Sequence, residues 1–166
     1  KDATATNKTA TKTGYYLKKL LSPQAVWDGR TNNITRTWIL MRYAEVLLNY
    51  AEAMNEYCES PSQAPNDSIY KVVELIRKRA ELSPYKLPAG LTKEEMREVI
   101  RNERRVELAF ENHRWFDLIR TGRAVEVMRS KGFSLNETNL ICPIPQKQID
   151  VNPKLTQNDY RIESRN

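Results

Sequence analysis

The chain has 166 residues, of which 40% are hydrophobic and 29% are charged, a composition typical of a folded globular domain. Few runs of β-branched residues argue against an all-β fold, and no apolar run reaches the roughly 18 residues of a membrane-spanning helix. The net charge of +6 lies mostly in residues 1–36, which hold seven Lys or Arg against two Asp. The other segments nearly balance their own charges, so we expect no nucleic-acid-binding face.

The first 35 residues show no sustained helical or strand period and are predicted to be an extended lead-in followed by a loop. The polar loop at residues 27–33 places an indole beside side chains that hydrogen-bond sugars. The candidate ligand-binding residues are Trp27, Arg30, Asn32 and Asn33. The indole could equally anchor the loop to the body of the protein, which is the commoner role. Since the chain starts at Lys1 rather than with Met or a signal peptide, we expect further protein upstream.

A first helix is predicted over residues 37–57, because apolar side chains recur there at helical spacing. The apolar stripe of this helix consists of Ile39, Tyr43, Val46, Tyr50 and Met54. A second face carries the polar residues Arg42, Glu45, Asn49 and Glu56. The small residues Ala44, Ala51 and Ala53 would let a neighbouring helix approach closely.

A second helix is predicted to follow the proline-containing break at residues 60–65, with Asp67 as its N-cap. Its apolar face consists of Ile69, Val72, Val73, Ile76 and Ala80. Two helices joined by a short turn with proline are typical of a tetratricopeptide-like hairpin. One such hairpin does not by itself make a solenoid, because repeats need neighbours to bury their faces.

The third helix carries the clearest boundary signals in the chain. Thr92 and Glu95 form a capping-box pattern, and Leu91 with Met96 supplies the hydrophobic pair that brackets such a helix start. Asn112 suits a left-handed position after a helix, so the helix is predicted to end near residue 111.

Shorter elements are predicted beyond the third helix. An amphipathic piece over residues 114–121 should stop at Gly122, and a small helix should follow over residues 124–129. The helical period disappears from Phe133 onward, and residues 140–145 must be extended because residues before proline avoid the helical region. The sequence therefore predicts a mainly all-α chain with a helical body over residues 36–131 and an irregular tail over residues 132–166.

Charged residues are concentrated at residues 102–120, where acids and arginines alternate with apolar side chains. Glu103 interrupts the helical stripe of Val99, Val106 and Phe110, and a carboxylate in such a stripe is costly unless a cation meets it. The residues predicted to form structural ion pairs are Glu103, Arg104, Glu107, Arg114, Asp117 and Arg120. The carboxylates share their helix with arginines that would keep them ionised, so we expect a structural rather than a catalytic role.

Other reaction chemistry lacks a starting motif. His113 is the sole histidine, and no CxxC, Walker, Gly-x-Ser-x-Gly or dinucleotide-binding pattern occurs. We therefore expect no metal, no cofactor and no enzymatic activity. Cys58 and Cys142 could form a disulfide if the fold brings them together, but two free, buried thiols are the favoured interpretation.

Four motifs in order resemble one protein family. They are Trp38-Ile-Leu-Met-Arg-Tyr-Ala-Glu-Val-Leu-Leu-Asn-Tyr-Ala-Glu-Ala53, Ile100-Arg-Asn-Glu-Arg-Arg-Val-Glu-Leu-Ala-Phe-Glu111, His113-Arg-Trp-Phe-Asp-Leu-Ile-Arg120, and Pro143-Ile-Pro145 followed by Asn152-Pro-Lys-Leu-Thr-Gln-Asn158. Together they are similar to the C-terminal region of the SusD/RagB outer-membrane nutrient-binding proteins of Bacteroidota. The resemblance treats residues 1–166 as one C-terminal domain.

The resemblance implies a mostly helical surface lipoprotein with tetratricopeptide-like units. Such a protein would cap a SusC-like TonB-dependent transporter and capture an oligosaccharide or peptide nutrient for import. The rest of the same lipoprotein, including its lipid-anchored cysteine, would lie upstream of Lys1. The alternatives are a helical protein–protein interaction scaffold without a small ligand and, more remotely, an enzyme.

Overall fold

The computed structural model describes Tyr15, residues 17–19 and residues 39–158 of the chain. The described residues are helical and contain no strand, which confirms the all-α fold class. The α-helices in chain order are α1 (Tyr43–Tyr57), α2 (Ser68–Arg79), α3 (Lys93–Glu107), α4 (His113–Arg120), α5 (Ala124–Ser130) and α6 (Gln146–Val151). Short 3-10 helices lie at Pro61–Gln63, Pro65–Asp67 and Glu137–Leu140.

The chain divides into two compact units, Lys1–Tyr43 and Ala44–Asn166. The first unit contains the predicted lead-in and the predicted ligand loop, and of these only Tyr15 and residues 17–19 are among the described residues. The second unit contains nearly all of α1 and every later helix. None of the described helices is both long enough and apolar enough to span a membrane.

The hydrophobic core of the second unit lies among α1, α2 and α3. Its main cluster joins Ala51 of α1, Ile69 and Val73 of α2, and Met96 and Ile100 of α3, all of them essentially inaccessible to solvent. A smaller cluster consists of Leu48, Ile76 and Leu108. Burying one such aliphatic side chain stabilises a fold by roughly 1.5–3 kcal/mol. These three helices therefore hold the hydrophobic core of the unit.

The predicted apolar face of α1 was wrong. Tyr43, Val46 and Tyr50 are exposed, and the helix begins at Tyr43 rather than near residue 37. The buried face consists instead of Ala44, Glu45, Leu48, Ala51 and Asn55. Small side chains let α1 approach its neighbours closely, whereas a row of tyrosines would hold it away. The face of α1 that carries the small residues, rather than its most hydrophobic face, is therefore the one that packs against the core.

The linker between α1 and α2 breaks the helix at the expected prolines. Asp67 occupies the N-cap position of α2, but its backbone is left-handed (φ 53°) and its side chain makes no capping hydrogen bond. The predicted inward face of α2 is present, with Ile69, Val73 and Ile76 buried. The tetratricopeptide-like character of the α1–α2 pair stays a prediction.

The start of α3 confirms the predicted capping box. The backbone N–H of Glu95 donates to Thr92 Oγ1 at 3.3 Å, and the Thr92 N–H donates to Glu95 Oε2 at 2.8 Å. The backbone N–H and the hydroxyl of Thr92 both donate to the Glu95 carboxylate, and these two bonds hold the pKa of Glu95 below its usual value. The helix ends at Glu107, one turn earlier than predicted, because Phe110 as well as Asn112 adopts a left-handed backbone.

Polar contacts tie the start of α3 to the end of α1. Lys93 Nζ donates to the carbonyls of Glu56 and Cys58 at 2.7 and 2.8 Å, and Asn55 Nδ2 donates to the Lys93 carbonyl at 3.1 Å. The last carbonyls of a helix have no partner within the helix, so a lysine there satisfies them. Arg97 adds a two-bond contact with the Glu56 carboxylate.

Residues beyond α3 follow the predicted order, with two additions. The α4 and α5 helices lie where the sequence predicts them, and Gly122 between them has a positive φ of 68°. The short helix at Glu137–Leu140 and α6 were not predicted. Gln157 accepts from the Ile144 N–H and donates to the Ile144 carbonyl, both at 2.8 Å, which ties the tail to the extended segment between two prolines.

Both cysteines are free, so the disulfide alternative is wrong. Cys58 is buried beside the core, as expected, whereas Cys142 is exposed. The expectation of two buried thiols therefore holds for one of them.

Candidate functional site

The candidate ligand-binding residues Trp27, Arg30, Asn32 and Asn33 lie outside the described residues. Their role in binding stays a prediction. The charged cluster at residues 102–120 is described in full, and it is the part of the predicted site whose geometry can be built from its contacts.

Arg104 is the centre of this cluster. Its side chain is 5% exposed. Its Nη1 donates to Asn49 Oδ1 at 2.6 Å, while Nε and Nη2 donate to the two oxygens of Asp117 at 3.2 Å. Glu52 lies 3.9 Å away. The guanidinium fork thus joins α1, α3 and α4, and a buried arginine with paired donors of this kind fixes geometry more than it adds stability.

Arg120 completes the cluster at the end of α4. Both of its terminal nitrogens donate to the Glu52 carboxylate at 2.7 Å, and its Nε donates to Asp117 Oδ1 at 2.9 Å. The bonds to Glu52 raise the pKa of Arg120 above its usual value. Burial favours a higher pKa for Asp117, but the bonds from Arg104 and Arg120 outweigh it and hold the pKa below its usual value. A carboxylate kept ionised in this way suits an ion pair and not a general acid.

The remaining residues of the predicted ion-pair set behave differently from one another. Glu107 accepts two bonds of 2.7 Å from Arg79 of α2. Glu103 is buried, although Val106 and Phe110 of its predicted stripe are exposed. Among the described residues, no cation lies within ion-pairing distance of Glu103. Burial raises the pKa of Glu103, and the charge of Arg77 on α2 opposes that rise only in part. The expected pairing of Glu103 with an arginine of its own region is therefore not what the structure contains.

Two participants in the cluster are not predicted from the sequence, namely Glu52 and Asn49 of α1. Asn49 does belong to the polar face that the sequence assigns to this helix. That polar face could have predicted the contact with the cluster. Polar side chains at helical spacing, next to small residues that let another helix approach, indicate a helix that packs against charged neighbours. His113 also reaches α1, with Nε2 3.5 Å from Glu45 Oε2, although that oxygen accepts no hydrogen bond from any described residue.

A small pocket opens beside the cluster, here named the arginine pocket. It contains about 280 Å³ of empty space, part of it open to solvent. Its lining consists of Arg101, Arg104, Arg114, Asp117, Leu118, Arg120, Thr121 and Arg123. The Glu98 carboxylate bridges Arg101 at 2.8 Å and Arg123 at 2.9 Å. Burial raises the cost of charge on Glu98, but these two arginines hold its pKa below the usual value.

A wider cleft lies between the linker and the loop before α3. It contains about 750 Å³ of empty space and is lined by Ser62, Asp67, Tyr70, Lys71, Glu74, Lys86, Leu87, Ala89 and Gly90. Tyr70 and Glu74 already accept from the backbone N–H groups of Leu91 and Leu87. These side chains hold the loop in place. Within residues 39–158, no three His, Cys, Asp or Glu side chains gather as metal ligands would.

Comparison with known proteins assigns the chain to a family. The SusD family profile matches residues 1–160. A SusD-like protein of Formosa agariphila is 37% identical over 133 residues, which cover 74% of this chain and 25% of that protein. Another from the same organism is 44% identical over 66 residues, covering 40% of this chain and 13% of that protein.

The chain thus spans a quarter or less of the length of these curated relatives. No solved structure matches it at a significant level. Because the family profile covers nearly the whole chain, including all the described helices, the protein belongs to the SusD family.

Proposed function

We propose that the protein is a nutrient-binding subunit of the cell surface that delivers an oligosaccharide or peptide to a SusC-like TonB-dependent transporter. The observation that carries this proposal is the SusD family match over residues 1–160. The chemistry of the described helices is compatible with binding rather than turnover, because the acids of the cluster are held ionised by arginines.

The described helices act in this proposal as a scaffold. Their buried residues pack α1 against α2 and α3, and the Arg104 cluster fixes α4 to the same body. Ligand contact is assigned to the loop at residues 27–33, where Trp27 would stack on a sugar ring. Arg30, Asn32 and Asn33 would supply hydrogen bonds to its hydroxyls.

The proposal includes a location and two protein contacts. The protein would be held at the outer membrane through a lipidated cysteine outside these 166 residues. Large exposed apolar side chains support contact with further protein, whether the rest of the same molecule or the transporter. Tyr57 is 86% exposed, Phe116 68% and Phe110 67%. Tyrosine and phenylalanine are enriched at protein–protein interfaces relative to the rest of the protein surface.

A binding experiment tests the assignment of the loop. Calorimetry of the intact protein against a panel of oligosaccharides and peptides should find a ligand whose affinity falls on Trp27→Ala without a lower melting temperature. Tyr57→Ala, which removes another exposed aromatic ring, is the control and should bind as the unaltered protein does. Undiminished binding in the Trp27 variant would move the ligand site elsewhere.

A second experiment tests the transporter contact. The intact protein, purified from its own outer membrane with mild detergent, should bring a TonB-dependent barrel protein with it. The alternative function, a helical interaction scaffold without a small ligand, is favoured by the exposed apolar side chains alone. Recovery of a different protein partner, together with no binding to any nutrient in the panel, would support that alternative over nutrient capture.

A further inference from the structure

We propose that the arginine pocket binds a small oxyanion, meaning a free sulfate or phosphate ion or the anionic group of a larger molecule. This inference is independent of the proposed function. It rests on the charge balance of the pocket and on the size of the space. It also rests on one arginine without an ion pair and one buried donor without an acceptor among the described residues.

The pocket carries more positive charge than its partners neutralise. Five arginines line it. Among the described residues, three carboxylates lie within 4.0 Å of those arginines, namely Glu52, Glu98 and Asp117. Two positive charges are therefore in excess at one small cavity. Such an excess in a partly enclosed site attracts anions.

Arg114 accounts for part of this excess. No acid among the described residues forms an ion pair with it, although the charge of Asp117 acts on it from nearby. Burial lowers the pKa of Arg114, and the like charges of Arg105 and Arg123 lower it further. Its guanidinium offers five N–H donors in a planar fork that matches an oxyanion. A bound anion would supply the acceptor and relieve the repulsion between the neighbouring cations.

Arg101 contributes a second unused donor. Its Nε is buried and has no hydrogen-bond partner among the residues that the structure describes, whereas its Nη1 donates to Glu98. Buried N–H groups are nearly always satisfied in folded proteins, by protein, water or a ligand. An oxyanion in the pocket would provide an acceptor near this group.

The dimensions of the pocket select the class of ligand. Most of the 280 Å³ of empty space is open to solvent, and the cavity itself has a volume of about 20 Å³, far below the roughly 300–1,000 Å³ of typical organic ligand sites. The space suits one anionic group, with the remainder of any larger ligand lying outside. Thr121 and Leu118 complete the wall but add no charge.

Calorimetry of the intact protein at low ionic strength tests the proposal. Sodium sulfate, phosphate and acetate are titrated against sodium chloride at equal ionic strength. We expect saturable binding of sulfate or phosphate that chloride does not reproduce. In Arg114→Gln this binding should weaken by at least about tenfold, since bonds to charged groups typically contribute that much. Arg114→Lys keeps the charge without the fork and should bind with intermediate affinity.

The controls separate the pocket from general charge effects. Arg114→Gln removes no ion pair with any described residue and should fold, with a melting temperature no lower than that of the unaltered protein. Lys147→Gln removes the same charge from exposed α6 and should leave anion binding unchanged. Anion binding no greater than that of chloride, or equal loss in both variants, would overturn the proposal.

A third set of titrations identifies the source of the anion. Glucuronate and glucose sulfate are compared with neutral glucose in the same buffer. Affinity for the charged sugars equal to or above that for the inorganic ions indicates an anionic substituent of a larger ligand. Affinity for the inorganic ions alone assigns the pocket to a free ion. Both results retain an oxyanion site.

Discussion

Arg104 is the residue whose contacts matter most for the arrangement of the helices. It is nearly inaccessible to solvent and meets Asn49, Asp117 and, at a longer distance, Glu52. Burial of an arginine costs free energy that its partners must offset. The ion pair between Arg104 and Asp117 therefore adds little net stability compared with apolar residues in the same place. Loss of Asp117, however, would leave the buried charge of Arg104 without its partner.

The first prediction concerns Asp117. Asp117→Asn removes the charge that faces both Arg104 and Arg120, and the free energy of unfolding should fall by about 3 kcal/mol. Urea unfolding at neutral pH measures the change. Asp150→Asn on exposed α6 is the matched control and should change stability by less than about 0.5 kcal/mol. Equal stability of the two variants would contradict a structural role for the Arg104 cluster.

The second prediction concerns Glu103, whose pKa is raised chiefly by burial. A carboxyl group with a raised folded pKa destabilises the fold in its ionised form. Glu103→Gln should therefore stabilise the protein at neutral pH. This gain in stability should disappear as pH falls to 4.5, the ordinary pKa of a glutamate, because the raised pKa means that the folded protein has by then protonated Glu103. Urea unfolding of both proteins at pH 7 and pH 4 checks this, and a loss of stability at pH 7 would mean that the carboxylate has a cation partner.

At the scale of single elements, the helix starts differ in how they are satisfied. The α3 helix has a full capping box at Thr92, whereas the side chain of Asp67 at the start of α2 caps nothing. The left-handed backbone of Asp67 prevents the extended conformation that a capping side chain requires. The α2 helix therefore depends on its packing, and α3 has a local signal as well.

The third prediction tests that local signal. Thr92→Ala removes the oxygen that accepts from Glu95 N–H and should lower the free energy of unfolding by about 1 kcal/mol. Thermal unfolding measures it. Thr156→Ala, an exposed threonine in the tail, is the matched control and should be neutral. A Thr92 variant as stable as this control would show that the box contributes nothing.

The fourth prediction tests the inward face of α1. Ala51 is fully buried against α2 and α3, whereas Ala53 on the same helix is exposed. Ala51→Leu should overpack the core and cost about 1–3 kcal/mol, and Ala53→Leu should cost little. The two variants add the same side chain two residues apart, so comparing their urea midpoints isolates the effect of burial. A lower urea midpoint for Ala53→Leu than for Ala51→Leu would contradict the assignment of Ala51 to the core face of α1.

At the scale of the whole molecule, several carboxylates of the described helices are paired with arginines. The pKa of Glu56 is lowered chiefly by its bonds from Arg97. For Glu98 and Asp117, arginine bonds outweigh burial and also lower the pKa. These groups stabilise the fold above their unfolded pKa values, and that stability is lost as pH falls through the lower folded values.

The fifth prediction is therefore acid lability. The free energy of unfolding should fall steadily as pH drops below the ordinary carboxyl values of 4.5 for Glu and 3.8 for Asp. Urea unfolding at pH 6, 4 and 3 measures the slope. Asp117→Asn should reduce that slope, since one of the titrating groups is gone. A protein equally stable at pH 3 and pH 6 would contradict this account of the ion pairs.

The sequence alone determined the all-α fold class, the start of α3 at Thr92, the left-handed Asn112 and the stop at Gly122. Each depends on interactions within a few residues, such as a side chain that caps a nearby N–H or a glycine that tolerates a positive φ. Such signals are complete in the local sequence and need no knowledge of neighbours. The short α6 escaped prediction because its one turn and a half carries no repeating apolar pattern.

Only the tertiary structure decided which face of α1 is buried and which groups meet the charges of α3. The α1 sequence carries an aromatic stripe and an alanine notch at the same helical period, and the shape of α2 and α3 selects the notch. Arg104 bonds Asn49, 55 residues away, and leaves Glu103 without an ion pair among the described residues. The arginine pocket likewise forms where α3 meets α4. Charge pairing depends on distances between elements that are far apart in the chain, and those distances are set by how the cores pack.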